Sequence, residues 1–298
     1  MGDPLTEMIQ LLQPRAVLSK PISGAGKWAV RYSRFDAPSF AAVLEGSCRL
    51  AVDGHRPVTL EAGDFVLLPA TPGFTMSGFE AAAPVHIDPK SVPLPTSEVR
   101  HGRIGGKPNV RLLGGSFTFG SPDRALLVSL LPGLFHIRGV PRLTLLVQLV
   151  AEEARAQNAG RELVLSRLVE LLLIEALRSQ PGEGAPAGLL RGLADARLTP
   201  ALRKMHDQLG HAWTVPELAK AAGLSRSSFF ERFHVAVGMR PMEYLLTWRM
   251  AVAKDLLRRR ELDISLIAER VGYASSSTFS TAFSRHVGTS PGRYARAI

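Results

Sequence analysis

The sequence of 298 residues contains one cysteine, Cys48, which excludes an internal disulfide and a zinc site built on a cysteine cluster. Its first residues are acidic rather than basic, so we expect no secretory signal peptide. The most apolar stretch, residues 163–177, is interrupted by Arg167, Glu170 and Glu175, which excludes a membrane span there. Together these features predict a cytoplasmic protein without a membrane partner.

The histidines are scattered rather than paired. Residues 1–196 contain His55, His86, His101 and His136, and no two of them have the spacing of a metal-binding pair. We therefore predict no metal, no cofactor and no catalytic residue, and hence no enzyme.

Positive charge, in contrast, is abundant and unevenly distributed. The formal net charge is +10, and residues 197–298 carry 16 Lys and Arg against 8 Asp and Glu. Residues 1–196 carry 20 against 18, so most of the excess lies towards the end of the chain. A localised basic excess is the electrostatic footprint of a surface that binds a phosphate backbone.

The same basic region contains one sequence pattern twice, with an offset of 49 to 50 residues. Each copy has an alanine, a glycine four residues later, a serine, and two phenylalanines at i and i+4. Glycine ends a helix because it adopts a left-handed conformation freely, and serine caps the next helix by accepting a backbone N–H bond. The pattern predicts two helix-turn-helix motifs, and hence DNA binding. Their structural residues are Ala219, Gly223, Ser225, Phe229 and Phe233 in the first copy and Ala268, Gly272, Ser275, Phe279 and Phe283 in the second.

Residues 241–260, between the two copies, are predicted to form one helix with apolar residues at helical spacing. At about 1.5 Å per residue this helix is roughly 30 Å long. Successive major-groove windows on one face of B-DNA are about 34 Å apart. One monomer is therefore expected to reach two successive major grooves.

The first part of the chain has a different pattern. Between residues 17 and about 119, short alternating runs are separated by glycine and proline, which indicates a β-sandwich or barrel. Asp53-Gly54 between two such runs predicts a two-residue hairpin turn, and residues 114–119 are predicted as the last strand. The candidates for an effector pocket are Trp28, Phe40 and Phe74, with ordinary core packing as the alternative for each.

Residues 161–179 are predicted as a helix with Leu165, Leu168 and Leu172 at near-heptad spacing. This apolar stripe is broader than one barrel face needs, so we interpret it as a homodimer interface, with packing inside the domain as the alternative. Residues 181–196 begin with a run rich in glycine and proline and are predicted as a linker.

Residues 199–298 resemble the DNA-binding domain of AraC/XylS transcriptional regulators, in which two helix-turn-helix motifs are joined by a long helix. The resemblance is carried by residues 272–283, Gly-Tyr-Ala-Ser-Ser-Ser-Thr-Phe-Ser-Thr-Ala-Phe, followed by Gly288, Pro291 and Tyr294. It implies a sequence-specific, ligand-responsive transcriptional regulator, either an activator or a repressor, that binds double-stranded DNA as a homodimer.

Residues 44–69 resemble the cupin barrel, a sensing domain found in such regulators. Cupin enzymes usually place a His-x-His pair here, whereas this sequence has Ser47, Cys48 and Arg49, which argues against metal-dependent catalysis. The resemblances imply an α+β protein with a cupin-like effector and dimerisation domain at 1–180, a linker at 181–196 and an all-α DNA-binding domain at 197–298.

The resemblance also implies which side chains contact DNA, because the family reads bases from the exposed side of the second helix of each motif. Glu231 departs from the arginine that is more usual there, so we expect a changed base preference. The expected base contacts are Arg226, Ser227, Phe230, Glu231, Ser276, Ser277, Ser280 and Thr281. The expected phosphate contacts are Arg232, Arg240, Arg249 and Arg285.

Two other functions remain open at this stage. One is a metal-dependent cupin enzyme fused to a DNA-binding domain, and the other is a nucleoid-binding protein without an effector. RNA polymerase is a further expected partner of a regulator of this type, and the effector itself is not identified by the sequence.

Overall fold

A computed structural model describes residues 3–35, 37–88, 98–121, 128, 130–156, 158–179 and 187–297. They divide into two compact units. The barrel unit comprises the described residues of Pro14–Gly120 and Pro132–Gln180, and the helical unit those of Met1–Gln13, Ser121–Leu131 and Pro181–Ile298. The N-terminal residues therefore group with the C-terminal helices.

The barrel unit is a curled, mainly antiparallel β-structure with two helices. Along the sheet the strand order is β7-β2-β6-β3-β9-β1-β8, with β4 and β5 also pairing with β3, and β10 pairing with β5. The strands are β1 Pro14–Ala25, β2 Ala29–Tyr32, β3 Ser39–Val52, β4 Val58–Glu61, β5 Phe65–Leu68, β6 Phe74–Ser77, β7 Val85–Ile87, β8 Val99–Gly102, β9 Val110–Phe119 and β10 Phe135–Ile137. The helices are α1 Pro4–Leu12, which belongs to the helical unit, and α2 Pro141–Arg155 and α3 Arg161–Arg178.

Strand β3 connects the two faces of the barrel because it changes partners along its length. Its first half pairs with β5 and β9, and its second half pairs with β4 and β6. A register shift between Val43 and Glu45 marks the bend. The inward side chains of both halves pack into one apolar core that includes Val43, Cys48 and Leu50.

Two local predictions in the barrel unit were wrong in detail. Asp53 and Gly54 do form a turn, in which His55 N donates to Val52 O, but β3 pairs with β4 only from Leu50 opposite Val58. The connection is therefore longer than a two-residue hairpin, and Val52 pairs with β6 instead. Residues 114–119 lie within β9, and β10 follows them as a later strand that pairs with β5.

Helices α2 and α3 pack on each other and on β1 within the barrel unit. Leu165 and Leu172 of α3 are 3% and 0% exposed, so these two residues of the predicted stripe face the interior of this unit, whereas Leu168 is half-buried. The apolar side chains that α3 does expose lie on another side of the helix, at Leu163, Val164 and Leu171.

The helical unit contains α1, α4 Leu189–Ala194, α5 Thr199–Asp207, α6 Val215–Ala221, α7 Arg226–Val237, α8 Pro241–Arg259, α9 Ile264–Arg270, α10 Ser276–Val287 and α11 Pro291–Ala297. Part of the predicted linker belongs to this unit: Gly188 N donates to Ala236 O at 2.9 Å, and α4 packs on α7. Residues 181–186 lie outside the described residues. The α+β class, with a cupin-like barrel and a helix-turn-helix region, is confirmed.

None of the helices among the described residues is long and apolar enough to cross a membrane.

Candidate nucleic-acid interface and effector pocket

The two sequence copies form two helix pairs of the same construction, α6 with α7 and α9 with α10. Gly223 and Gly272 end the first helix of each pair at φ +61° and +83°, where a side chain would be strained. Ser225 then accepts a hydrogen bond from Ser228 N at 3.2 Å, and Ser275 accepts one from Thr278 N at 3.1 Å. Each pair is therefore a helix, a left-handed turn and a capped second helix.

The buried side of each second helix is held by an aromatic cluster. Phe229 and Phe233 of α7 are fully buried with ring centroids 5.6 Å apart, and Phe233 meets Tyr244 of the next helix edge to face at 5.7 Å. In the second motif the corresponding distances are 5.5 Å between Phe279 and Phe283 and 5.5 Å from Phe283 to Tyr294. Ala219 and Ala268, on the first helix of each pair, are buried at 3% and 1% exposed. The packing orients α7 and α10 in the same way.

Because the phenylalanines bury one side of α7 and of α10, the opposite side of each helix faces solvent. All eight side chains expected to contact bases lie on this outer side, and only Ser280 among them is half-buried. The outer side of α7 combines a guanidinium, a carboxylate and the 36% exposed ring of Phe230. That of α10 carries only hydroxyls, and Thr281 Oγ1 donates to its own helix at Ser277 O at 3.1 Å. Helix α7 therefore holds the groups that discriminate best between base pairs.

Three of the four expected phosphate contacts have a guanidinium that is open to solvent. Arg240 and Arg285 are exposed, and Arg232 is half exposed while its Nε donates to Asp195 Oδ2 at 2.7 Å. Arg249 differs: its Nε and Nη2 donate to Leu209 O at 3.0 and 2.8 Å, and Nη2 also donates to His211 O at 2.6 Å. Burial lowers its pKa.

Arg249 is therefore better explained as a structural residue, because it satisfies the carbonyls at the end of the segment that follows α5. The phosphate role predicted for it is withdrawn.

Helix α8 joins the two motifs as one continuous helix of 19 residues, from Pro241 to Arg259. This matches the predicted span of 241–260 to within one residue, since Arg260 is the left-handed C-cap. At about 1.5 Å per residue the helix is roughly 28 Å long, close to the roughly 34 Å repeat of the major groove.

The barrel unit encloses a cavity of about 370 Å³. Strands β1, β3, β5, β6 and β9 supply most of its wall, which is largely aliphatic and aromatic. Among its polar groups are the amine of Lys20 and the hydroxyls of Tyr32, Ser39 and Ser116. The apolar lining residues include Ile22, Phe35, Phe40, Leu50, Leu60, Val66, Leu68, Phe74, Met76 and Leu112.

Comparison with known proteins places these two units in a known family. A family model described as Cupin matches residues 3–180, and one described as Helix-turn-helix domain matches residues 218–297. Relatives from Streptomyces antibioticus and Streptomyces lividans, both named AraC-like transcription regulators, are 37% and 36% identical to this chain. Each alignment covers 98% of this chain, and 98% and 97% of the relative.

The chain belongs to the AraC family of transcriptional regulators. An Escherichia coli relative named RCS-specific HTH-type transcriptional activator RclR is 26% identical, over 99% of this chain and 98% of its own. The solved DNA-binding domain of AdpA in complex with a target DNA is 30% identical over 34% of this chain and 91% of its own, with a TM-score of 0.32.

In this AraC-family chain the three aromatic pocket candidates have different surroundings. Phe40 and Phe74 line the cavity, and Phe74 stacks on Tyr32 with ring centroids 4.8 Å apart. Trp28 does not line it. Its indole packs so closely on Gly24 that a Cβ there would lie 2.3 Å from the ring, and it stacks on His101 at 5.9 Å. The pocket role predicted for Trp28 is therefore wrong.

Sequence reasoning missed Lys20 and Tyr32 as cavity residues. The alternation of strand β1 places Lys20 on the same face as Ile22, which also lines the cavity, so the period of two was a usable signal. Among the described residues, no group of three or more His, Cys, Asp and Glu side chains could hold a metal ion.

Proposed function

We propose that this AraC-family regulator recognises specific promoter sequences with α7 and α10 in two successive major grooves. One observation carries the proposal: two helices of the same construction present solvent-exposed polar faces at the two ends of a single connecting helix. The basic excess of residues 197–298 supports it, because positive charge favours approach to the phosphate backbone.

Within this proposal, base reading is assigned to the outer side chains of the two recognition helices. On α7, Glu231 can accept a hydrogen bond from cytosine N4, Arg226 can donate to guanine, and the ring of Phe230 can contact a thymine methyl. On α10, the hydroxyls of Ser276, Ser277, Ser280 and Thr281 contribute positioning and tolerant contacts. Arg232, Arg240 and Arg285 are assigned to phosphates.

We further propose that the barrel unit makes the regulator responsive to a small effector. The cavity of about 370 Å³ supports this, since ligand sites are typically concave, mostly apolar and equipped with a few polar groups. Effector binding would then be coupled to DNA binding through a free-energy difference between two states of the protein. The absence of the His-x-His pair of cupin enzymes supports a sensing role over catalysis.

A homodimer is the proposed assembly, and it is supported by apolar side chains that the barrel unit leaves in solvent. Val164 and Leu171 of α3 are 42% and 46% exposed, and the half-buried Leu168 lies between them at i, i+4, i+7 spacing. Sedimentation of a Leu171→Lys variant should show monomers, whereas Leu266→Lys, at an equally exposed leucine of the helical unit, should leave dimers. Dimers in both variants would contradict this interface.

The remaining parts of the proposal follow from promoter binding. A protein that binds chromosomal promoters is expected in the cytoplasm at the nucleoid, and RNA polymerase is its proposed partner during activation.

The test is selection of genomic fragments by the full-length protein at physiological salt, followed by footprinting. We expect discrete promoters with protection across two successive major grooves. Diffuse binding that disappears as salt rises would contradict the proposal and favour a nucleoid-binding protein instead.

A further inference from the structure

The cavity of the barrel unit contains an isolated cation. Lys20 lies on β1 opposite Gly114 of β9, and only 9% of this residue, its ammonium included, is exposed. Among the described residues no hydrogen bond or ion pair is formed by this ammonium, and no Asp or Glu is among the residues that line the cavity. Burial accordingly lowers the pKa of Lys20.

An unpaired cation in an apolar wall is energetically unfavourable, because burial removes hydration without replacing it. If this position served only packing, methionine or leucine would be more favourable than lysine, because they fill a similar volume without the cost of burying a charge. A ligand that carries a negative charge would therefore be favoured in this cavity, because it would pair with the ammonium of Lys20.

Three hydroxyl residues, Tyr32, Ser39 and Ser116, line the same cavity. Tyr32 is 8% exposed, and burial raises its pKa, so it remains a neutral hydrogen-bond donor at physiological pH. Ser39 Oγ lies 2.9 Å from Thr71 Oγ1, and because Thr71 donates its one hydroxyl proton to Ala37 O, Ser39 donates its own proton to Thr71. The cation of Lys20 and the O–H donor of Tyr32 match the two oxygens of a single carboxylate.

The rest of the cavity wall restricts the polarity and the size of the ligand beyond its head group. Phe40, Leu60, Val66 and Met76 are each at most 6% exposed and offer no polar atom, so they favour a hydrocarbon or aromatic body. A volume of about 370 Å³ equals that of roughly 12 water molecules in the liquid, which corresponds to a body of on the order of a dozen non-hydrogen atoms.

We propose that this cavity binds an amphipathic monocarboxylate of about that size, with its carboxylate on Lys20 and its apolar body against the aliphatic and aromatic wall. The inference rests on the effector-responsive role proposed above and names the chemical class of that effector.

The test compares two ligands that share a chain and differ only in the head group. Calorimetric titration of the full-length protein with decanoate and with decan-1-ol should show decanoate binding at least about tenfold more tightly, as expected for a charge-assisted hydrogen bond. Equal affinities in the wild-type protein would overturn the proposal without reference to any variant.

Variants at Lys20 then assign the preference to this residue. Lys20→Met keeps the length of the side chain. It should weaken decanoate binding by about tenfold or more and change the affinity for decan-1-ol by less than about twofold. Lys20→Arg retains the charge and should preserve the preference for the acid. Loss of both ligands to the same extent in Lys20→Met would indicate a packing role and contradict the proposal.

Footprinting of the same preparations separates this inference from the proposed function. Discrete promoter footprints together with no preference for decanoate would overturn the ligand class and leave the regulator intact. Diffuse DNA binding together with a clear preference for decanoate would overturn promoter recognition and leave the carboxylate site intact.

Discussion

The N-terminal helix α1 is connected to the DNA-binding helices by a buried hydrogen-bond relay. His206 of α5 has a side chain that is 1% exposed, and its Nδ1 lies 2.8 Å from Glu7 Oε2. Its Nε2 lies 2.8 Å from the hydroxyl of Tyr244, whose ring contacts Phe233 of α7. Glu7→Ala would remove one end of this relay and leave Nδ1 without its acceptor.

The size of the effect follows from burial. A buried polar group that loses its partner costs about 1–3 kcal/mol. Glu7 is 31% exposed, so water can replace part of its carboxylate, and we expect the lower half of that range, about 1–2 kcal/mol. Because about 1.4 kcal/mol is tenfold in an equilibrium constant, amide protection should fall roughly 5- to 30-fold.

Hydrogen exchange followed by mass spectrometry of the full-length protein measures this effect segment by segment. In Glu7→Ala, protection should fall in α5 and in the first half of α8, and stay unchanged in the strands of the barrel unit. Glu7→Gln, which keeps an acceptor oxygen, should retain most of the protection. Glu162→Ala, at an exposed glutamate of α3, is the matched control. Unchanged protection in α5 and α8, or a loss confined to the barrel strands, would refute the reasoning.

Three further outcomes are expected. Glu231→Ala should relax preference at one base pair and cost about 1–3 kcal/mol on the preferred site, and a binding matrix from a randomised library that matches the wild type would rule out base reading. Arg285→Ala should lower the slope of log affinity against log salt by about 0.9, unlike Arg56→Ala in the barrel unit, and an intact slope would remove its phosphate assignment. Burial, and then the charge of Asp64, raises the pKa of the Cys48 thiol to about 12, so at pH 7 it stays protonated. Iodoacetamide should therefore label native Cys48 far more slowly than unfolded protein, and rapid labelling would show that the thiol is accessible.

The helix-turn-helix region was predictable because its determinants are local. The turn glycines, the capping serines and the phenylalanines at i and i+4 act over a few residues, so the sequence pattern alone indicates where each helix starts, ends and buries a face. The length of α8 was also predictable, because its apolar residues recur at helical spacing between the two copies of the repeat.

The cavity of the barrel unit was less predictable because its wall is assembled from strands that are distant in sequence. Phe40, Phe74 and Trp28 look alike as isolated aromatics, yet only the first two line the cavity. Trp28 instead packs on Gly24, so closely that a Cβ there would lie 2.3 Å from its ring. The same holds for Leu165 and Leu172, whose spacing is that of an interface although they pack on α2 and β1.

The amino-acid sequence by itself determined the α+β class, the two helix-turn-helix motifs and the exposed faces of α7 and α10, because propensity, capping and periodicity operate within single helices and turns. Tertiary structure decided which charged side chains are free to act. Arg249 and Lys20 are both basic residues in regular elements. The guanidinium of Arg249 donates to the carbonyls of Leu209 and His211, whereas Lys20 lines an apolar cavity and has no hydrogen-bond or ion-pair partner among the described residues. The physical reason is that a side chain's partners are set by what the rest of the fold brings within about 3 Å of it, and no local pattern encodes that distance.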